Sequence, residues 1–281
     1  MPKSKFNRYS LKHNLLKKVS ISIDFDGLTN VDEFINALKR NELADKFAAY
    51  RKVLPPNASR MGTENRAYNY DGVFINNSYQ EIKHLFFNYT GQDTKDNVEL
   101  VLNSSNISIL IDCVYYKNID IYLDLIHSLI KRLLDIDAFV KIKNVGIRKI
   151  GAFEHTKVAE VFKVFLPEMF TMSKHIPTHI TENVKCLRTS YDDTLVFLEH
   201  YPVLVNLKRL VRHLQDPVTK EHKLQAILDI DGHIEEKALS QNMPDASADD
   251  VMNALKLTNE VLFETFKMAV TQQYLEQHGC I

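Results

Sequence analysis

Two stretches near opposite ends of the chain alternate apolar and polar residues. In residues 19–27, VSISIDFDG, the odd-numbered positions as far as Phe25 are apolar, and the others are serine or aspartate. In residues 221–232, EHKLQAILDIDG, the apolar positions are mainly the even-numbered ones. A period of two predicts a β-strand with one buried face. Each stretch is therefore predicted to be a half-buried strand, and each closes on Asp-x-Asp-Gly.

Helical spacing appears in three other segments. Asn30 and Glu33 fit a capping box, and they begin a helix predicted to run to about residue 49, with a break near Asn41 as the alternative. A wide apolar stripe over residues 122–133 predicts a second helix. Ser247 is the predicted N-cap of a long final helix.

Short alternating segments separated by polar turns fill the space between these helices. They predict strands at 82–89, 98–102, 107–114, 139–150, 194–200 and 203–214, with a turn at 190–193 and a loop at 233–246. The order of elements predicts an α+β fold of two similar halves, each an antiparallel strand meander with helices packed on one face. The predicted organisation is a flexible basic arm over 1–17, an N-terminal half over 18–152, and a C-terminal half over 153–281 that contains the long terminal helix.

Composition adds limits on partners and location. The chain has 281 residues with 35 basic and 36 acidic side chains, so no global field attracts it to nucleic acid or to an anionic membrane. No apolar run reaches the ~18 residues of a membrane span. The three cysteines are far apart in the sequence and form neither a metal-binding spacing nor a disulfide framework. This cysteine usage favours the reducing cytoplasm.

Four landmarks in order along the chain carry a family resemblance. They are LLKKVSISIDF at 15–25, GIRKI at 146–150, LDID at 228–231, and a final helix with Phe266 followed by Val-Thr at 270–271. Together they resemble an uncharacterised, sporadically distributed prokaryotic family with a GLRYIN-like middle strand and an LDID-like strand before the C-terminal helix. Lys149 and Gly151 stand where that family commonly has tyrosine and asparagine. The resemblance implies no activity, and its sporadic occurrence implies antiviral defence or toxin–antitoxin genes.

The two Asp-x-Asp strand ends raise a catalytic hypothesis. If Asp24 and Asp26 lay beside Asp229 and Asp231, the four carboxylates could hold a divalent metal for nuclease or phosphoryl-transfer chemistry. The alternative is that these aspartates form the polar faces and ends of two half-exposed strands. We favour the alternative and assign no catalytic residue and no cofactor.

Arg148 lies in the middle of a predicted strand, on the same face as Ile150. An arginine in partly buried surroundings needs an acidic partner. Asp229 or Asp231 could supply it and form a structural ion pair between two central strands. Arg148 could instead bind a phosphate group or a carboxylate of a partner.

A locally basic segment suggests a second surface. Lys208 and Arg212, together with Lys185 and Arg188 on a neighbouring strand, could form a strip that contacts phosphates. The near-neutral net charge and the absence of interleaved aromatic residues favour a solvated strand face instead.

These observations together favour a non-enzymatic protein-interaction or sensing protein in the cytoplasm, within a prokaryotic antiviral defence or toxin–antitoxin-like system. The expected partner is a protein, with a homodimer as one option, and no membrane association is expected. The first alternative is a divalent-metal-dependent nuclease or phosphoryl-transfer enzyme that uses the Asp-x-Asp strand ends. The second alternative is a nucleic-acid-binding protein.

Overall fold

The structure is a computed structural model, and it describes residues 15–41, 43–53, 82–90, 96–114, 116, 118–170, 188–198, 202–215, 221–242 and 246–278. Its strands are β1 (Leu16–Asp26), β2 (Phe47–Val53), β3 (Lys83–Tyr89), β4 (Asn97–Leu102), β5 (Asn106–Asp112), β6 (Lys141–His155), β7 (Arg188–Leu198), β8 (Pro202–Gln215) and β9 (His222–Ile234). Its helices are α1 (Val31–Asn41), α2 (Asp120–Ile136), α3 (Val158–Val164), α4 (Pro167–Phe170), α5 (Glu236–Asn242), α6 (Ala248–Ala269) and α7 (Gln272–His278).

All nine strands of the described residues form one sheet, in the order β2-β3-β4-β5-β1-β6-β9-β8-β7. Every neighbouring pair is antiparallel. The two stretches with the clearest alternation, β1 and β9, flank β6 near the centre of this order. The predicted α+β class with antiparallel strands is confirmed, and β1 and β6 join the strands into one continuous sheet. The similarity of two halves stays a prediction.

The alternation of β1 divides the sheet into a covered face and an open face. Val19, Ile21 and Ile23 are each 1% exposed and belong to the apolar core, where buried side chains of the helices meet them. The intervening serines and Asp24 point to the other side of the sheet and stay partly exposed. We call the side that carries these residues the open face, since the described helices pack into the core on the other side.

Long helix α6 anchors the covered face. Its buried residues, which include Ala254, Leu255 and Leu262, pack on β6 and β9 and against α2. Gly232 of β9 permits this close approach, because a β-carbon there would lie 2.6 Å from Cδ2 of Leu262. The sheet centre and α6 therefore form one packed unit beneath the open face.

Ser247 caps α6, as predicted from the sequence. Its side chain accepts a hydrogen bond from the Asp250 backbone N–H at 3.2 Å, and the Asp250 carboxylate accepts one from the Ser247 backbone N–H at 2.9 Å. The Ser247 hydroxyl also donates to Asp250 Oδ2 at 2.7 Å, and this bond, together with the one from the Ser247 backbone N–H, lowers the pKa of the Asp250 carboxyl. The first turn of α6 thus satisfies two donors that a helix start would otherwise leave without partners.

Replacing Ser247 by alanine is expected to lower the free energy of unfolding by about 1 kcal/mol, since it removes the N-cap acceptor. Urea denaturation followed by circular dichroism measures this change. Ser128→Ala in the middle of α2 is the matched control, because alanine is a better helix former there and the exposed Ser128 hydroxyl bonds only to its own helix. An equal effect of the two substitutions would contradict the role of the cap.

Three local predictions were wrong. The first helix ends at Asn41 and not near residue 49, and residues 47–53 form edge strand β2. The predicted turn at 190–193 lies inside β7 and pairs with β8. The predicted loop at 233–246 contains α5. Most of the predicted basic arm lies outside the described residues.

Among the described residues, no helix combines the length and the apolar composition that a membrane crossing requires.

Candidate functional site

The middle of the open face forms a polar groove with a volume of about 660 Å³. Residues directly opposite each other on antiparallel strands lie on the same face, so the register places the groove residues in rows. One row runs from Leu110 through Ser20 and Arg148 to Asp231. The next runs from Ser108 through Ser22 and Gly146 to His233.

Small residues form the floor of the polar groove. Ser20, Ser22 and Ser108 carry short side chains, and Gly146 carries none. A β-carbon on Gly146 would lie 3.2 Å from the β-carbon of His233, so His233 sits close over the glycine. Short side chains in the sheet centre, with longer ones at the sides, produce the depression.

Arg148 is fixed at one side of the groove by a bidentate ion pair. Its Nε donates to Asp229 Oδ1 at 2.8 Å, and its Nη2 donates to Asp229 Oδ2 at 2.6 Å. The side chains are only 17% and 12% exposed, respectively. The hydrogen bonds to Asp229 raise the pKa of Arg148. This is one of the two pairings that the sequence allowed for Arg148, and it joins β6 to β9.

Asp231 occupies the register position opposite Arg148 on β9. Burial raises the pKa of its carboxyl, and repulsion by Asp229 adds to the rise, while His233 and Arg148 act in the opposite direction. None of the hydrogen bonds or ion pairs within the described residues involves the Asp231 carboxylate. Asp231 is therefore a partly desolvated acid that faces the groove.

Asp24 lies at the far end of the groove and is held by two amides. Its Oδ1 accepts from Asn106 Nδ2 at 2.6 Å, and its Oδ2 accepts from Asn144 Nδ2 at 3.1 Å. Asp26 lies 2.9 Å from the ammonium group of Lys143. Both aspartates of β1 are thus engaged in contacts with neighbouring strands.

The two Asp-x-Asp pairs do not meet. Strand β6 separates β1 from β9, and Asp24 is opposite Asn144 whereas Asp231 is opposite Arg148. Four positions along a strand amount to ~13 Å, too far for one metal ion to join the pairs. The described residues contain no cluster of three histidine, cysteine or acidic side chains that could hold a metal ion. The catalytic hypothesis, which the sequence did not favour, required Asp24 and Asp26 to lie beside Asp229 and Asp231, and this strand register does not bring them together.

The basic strip that the nucleic-acid-binding alternative requires is interrupted within the described residues. The ammonium group of Lys208 lies 3.7 Å from Asp192, and the Nε of Arg212 donates to Gln225 Oε1 at 2.7 Å. Asp229 is the residue opposite Lys208 on β9. Arg188 is opposite Arg212 in the register of β7 and β8, and Lys185 lies outside the described residues. The described part of this surface alternates basic with acidic or amide groups.

Sequence reasoning missed the serine floor, Gly146, Asn106, Asn144 and His233. The alternation of β1 already placed Ser20 and Ser22 on the polar face. The missing information was the strand order, which sets β1 between β5 and β6 and so gathers these residues.

No protein-family model matches the sequence, and no curated protein matches it.

Proposed function

We propose that the protein is a non-enzymatic binding protein of the cytoplasm, and that its polar groove receives a basic side chain of a partner protein. The observation that carries the proposal is Asp231. This carboxylate faces the groove, has a raised pKa, and has no hydrogen-bonding partner within the described residues. A guanidinium or ammonium group supplied by a partner would stabilise its charged form.

The charges around the groove support a basic ligand group. The acidic residues of the lining are Asp24, Glu99, Asp112 and Asp231. The lysines and arginines of the lining are Lys18, Lys83 and Arg148. Asp229 engages Arg148, and Asp112 lies 3.6 Å from the ammonium group of Lys18. The charged side chains that remain after these two ion pairs are mostly acidic, so the groove repels a polyphosphate and attracts a cation.

The uncharged groups in the lining suit a polypeptide. Hydroxyl groups of Ser20, Ser22 and Ser108 and amide groups such as those of Asn97 and Asn103 provide both donors and acceptors. Polar interfaces between proteins use mixed donors and acceptors of this kind, with a few buried charged anchors. Asp231 is the proposed anchor on this side.

Replacing Asp231 by asparagine is expected to weaken partner binding at least tenfold while the protein stays folded. A carboxyl group with a raised folded-state pKa destabilises the fold increasingly as pH rises through its titration. A neutral amide of the same shape therefore costs no electrostatic stability at pH 7. Asp45→Asn, at an exposed turn residue away from the groove, is the matched control.

Affinity capture from the native host should be run with the wild type and both variants, followed by calorimetry on the purified pair. The proposal requires a stoichiometric protein that the wild type and Asp45→Asn retain and Asp231→Asn loses. It also requires that neutralising one lysine or arginine of the partner reproduces this loss. Equal binding by the wild type and Asp231→Asn would place the interface elsewhere, and recovery of no stoichiometric protein would contradict the proposal.

The proposed cellular setting is a prokaryotic antiviral defence or toxin–antitoxin-like system, and the family resemblance of the sequence is its basis. Deleting the gene in its host should raise the efficiency of phage plating or unmask a toxic neighbouring gene. A deletion strain that shows neither effect would remove this setting without affecting the proposed interaction.

A further inference from the structure

A second cavity lies on the covered face of the sheet, on the opposite side from the polar groove. It has a volume of about 60 Å³ and lies between strands β1, β6 and β9 and helix α6. Most of its lining is apolar or aromatic, and the main contributors are Leu15, Phe165, Leu262, Phe263 and Phe266. An apolar cavity of this kind is expected to contain only apolar groups, but one end of it is polar.

Lys149 supplies the charge at that end. The alternation of β6 directs Arg148 to the open face and Lys149 to the covered face, where Val19 is its neighbour on β1. Lys149 is the one charged residue among the described residues that line the cavity. Placing an ammonium group beside apolar surface is costly unless polar groups compensate it. The Asn259 amide of α6 is one such polar group at this position.

Asn259 of α6 provides the second observation. It is 1% exposed, lines the cavity, and accepts a hydrogen bond from Lys149 Nζ through its Oδ1. Its Nδ2 is buried and has no hydrogen-bonding partner within the described residues. A buried amide donor without a partner costs about 1–3 kcal/mol. An acceptor placed in the cavity would satisfy this donor.

The cavity therefore presents an ammonium group and an amide N–H, together with the polar groups of Tyr116 and Asn118, in a lining that is otherwise mostly apolar. A carboxylate can accept hydrogen bonds from both donors and is attracted by the ammonium charge. The volume is at least four times the ~10–15 Å³ of probe-sized space that one water molecule needs, enough for about four non-hydrogen atoms. That is the size of a short-chain carboxylic acid.

We propose that this cavity binds a short aliphatic monocarboxylate. Its carboxylate contacts Lys149 Nζ and Asn259 Nδ2, and its alkyl group packs against Leu262, Phe263 and Phe266. The site is separate from the polar groove, because Lys149 and Arg148 project from opposite faces of the same strand.

Calorimetric titration with formate, acetate, propionate, butyrate and hexanoate tests the proposal on the full-length protein. Affinity should rise about fourfold for each added CH₂ while the alkyl group still enters the cavity. It should stop rising once the acid exceeds about four or five non-hydrogen atoms. Acetamide, which matches acetate in its four non-hydrogen atoms but carries no negative charge, should bind at least tenfold more weakly than acetate.

Two substitutions connect the binding to the cavity. Lys149→Met retains the length of the side chain and removes its charge, and it should abolish acetate binding. Lys141→Met, at an exposed position of the same strand, is the matched control and should bind as the wild type does. Gly151→Ala adds a methyl group at the cavity wall without a clash, since its β-carbon would lie 3.6–3.8 Å from atoms of Leu15. It should shorten the preferred acid by about one carbon.

Unchanged acetate binding in Lys149→Met would overturn the proposal, as would a wild type that shows no saturable binding of any acid in the series. The latter result would mean that the cavity holds only water. Neither result affects the hypothesis that the polar groove binds a partner, because the groove and the cavity lie on opposite faces of the sheet. Conversely, Asp231→Asn should bind acetate as the wild type does.

Discussion

Replacing Arg148 by methionine is expected to lower the free energy of unfolding by about 3 kcal/mol, because it leaves an acid buried without its ion-pair partner. Asp229 is only 12% exposed at its side chain, and Asp231 lies on the same face two residues away. The guanidinium group joins β6 to β9 through two hydrogen bonds to Asp229. Without it, two carboxylates share a partly desolvated site.

Urea denaturation of the single and double variants measures this effect. Arg148→Met combined with Asp229→Leu should recover at least half of the lost stability, since removing both members of a buried pair is often close to neutral. Arg51→Met, on exposed edge strand β2, is the matched control and should change the free energy of unfolding by less than about 0.5 kcal/mol. Equal losses in the single and double variants would show that the cost of Arg148→Met is a loss of packing and not of the ion pair.

The sequence predicted the central part of the fold well because local pattern and burial agree there. The alternation of β1 and β9 reports one buried and one partly exposed face, and the structure has that arrangement. The apolar stripe of α2 and the cap of α6 likewise correspond to buried and capped residues. In these elements the local preference and the tertiary environment favour the same structure.

The elements that were wrongly predicted are mostly at the edges of the sheet. Residues 47–53, FAAYRKV, contain alanines and long basic side chains that suit a helix, yet they pair with β3 as edge strand β2. Ser190 to Asp193 have the composition of a turn, yet they pair with β8 in edge strand β7. An edge strand can carry polar residues because it has a neighbour on one side only. Its assignment depends on pairing with that neighbour, which the composition of the strand itself does not reveal.

The same limit explains which parts of the candidate site could be predicted. The need for an acidic partner of Arg148 follows from its position among apolar strand residues, and Asp229 meets that need. Whether Asp24 meets Asp231, as the metal-site alternative requires, depends on strand order, and β6 lies between their strands. The raised pKa of Asp231 and the amide of Asn259 near Lys149 also depend on contacts between distant segments. The alternation along one strand shows on which face of the sheet a side chain lies. Which side chains of different strands come together depends on the order of the strands in the sheet.

Gly27→Ala is expected to lower the free energy of unfolding by about 3 kcal/mol, with about 1 kcal/mol from backbone strain and about 2 kcal/mol from a steric clash. Gly27 follows β1 and has φ +89°, in the left-handed region that favours glycine. A β-carbon there would lie 2.1 Å from the backbone carbonyl oxygen of Phe139. Because the obstructing atom belongs to the backbone, no side-chain rotation can relieve the contact.

Hydrogen bonds to Asp137 keep the turn at Gly27 from moving away from the turn at Phe139. Its Oδ2 accepts hydrogen bonds from the Thr29 backbone N–H at 2.9 Å and from the Thr29 hydroxyl at 2.7 Å, while its Oδ1 accepts from the Phe139 backbone N–H at 3.0 Å. These bonds lower the pKa of the Asp137 carboxyl and hold the turn after β1 against the turn before β6. Urea denaturation should show the full loss for Gly27→Ala and a change below about 1 kcal/mol for Gly151→Ala, whose β-carbon meets no atom closer than 3.6 Å. If Gly27→Ala proved as stable as Gly151→Ala, the close approach of these turns would not exist in solution, and the junction between β1 and α1 would have to take another path.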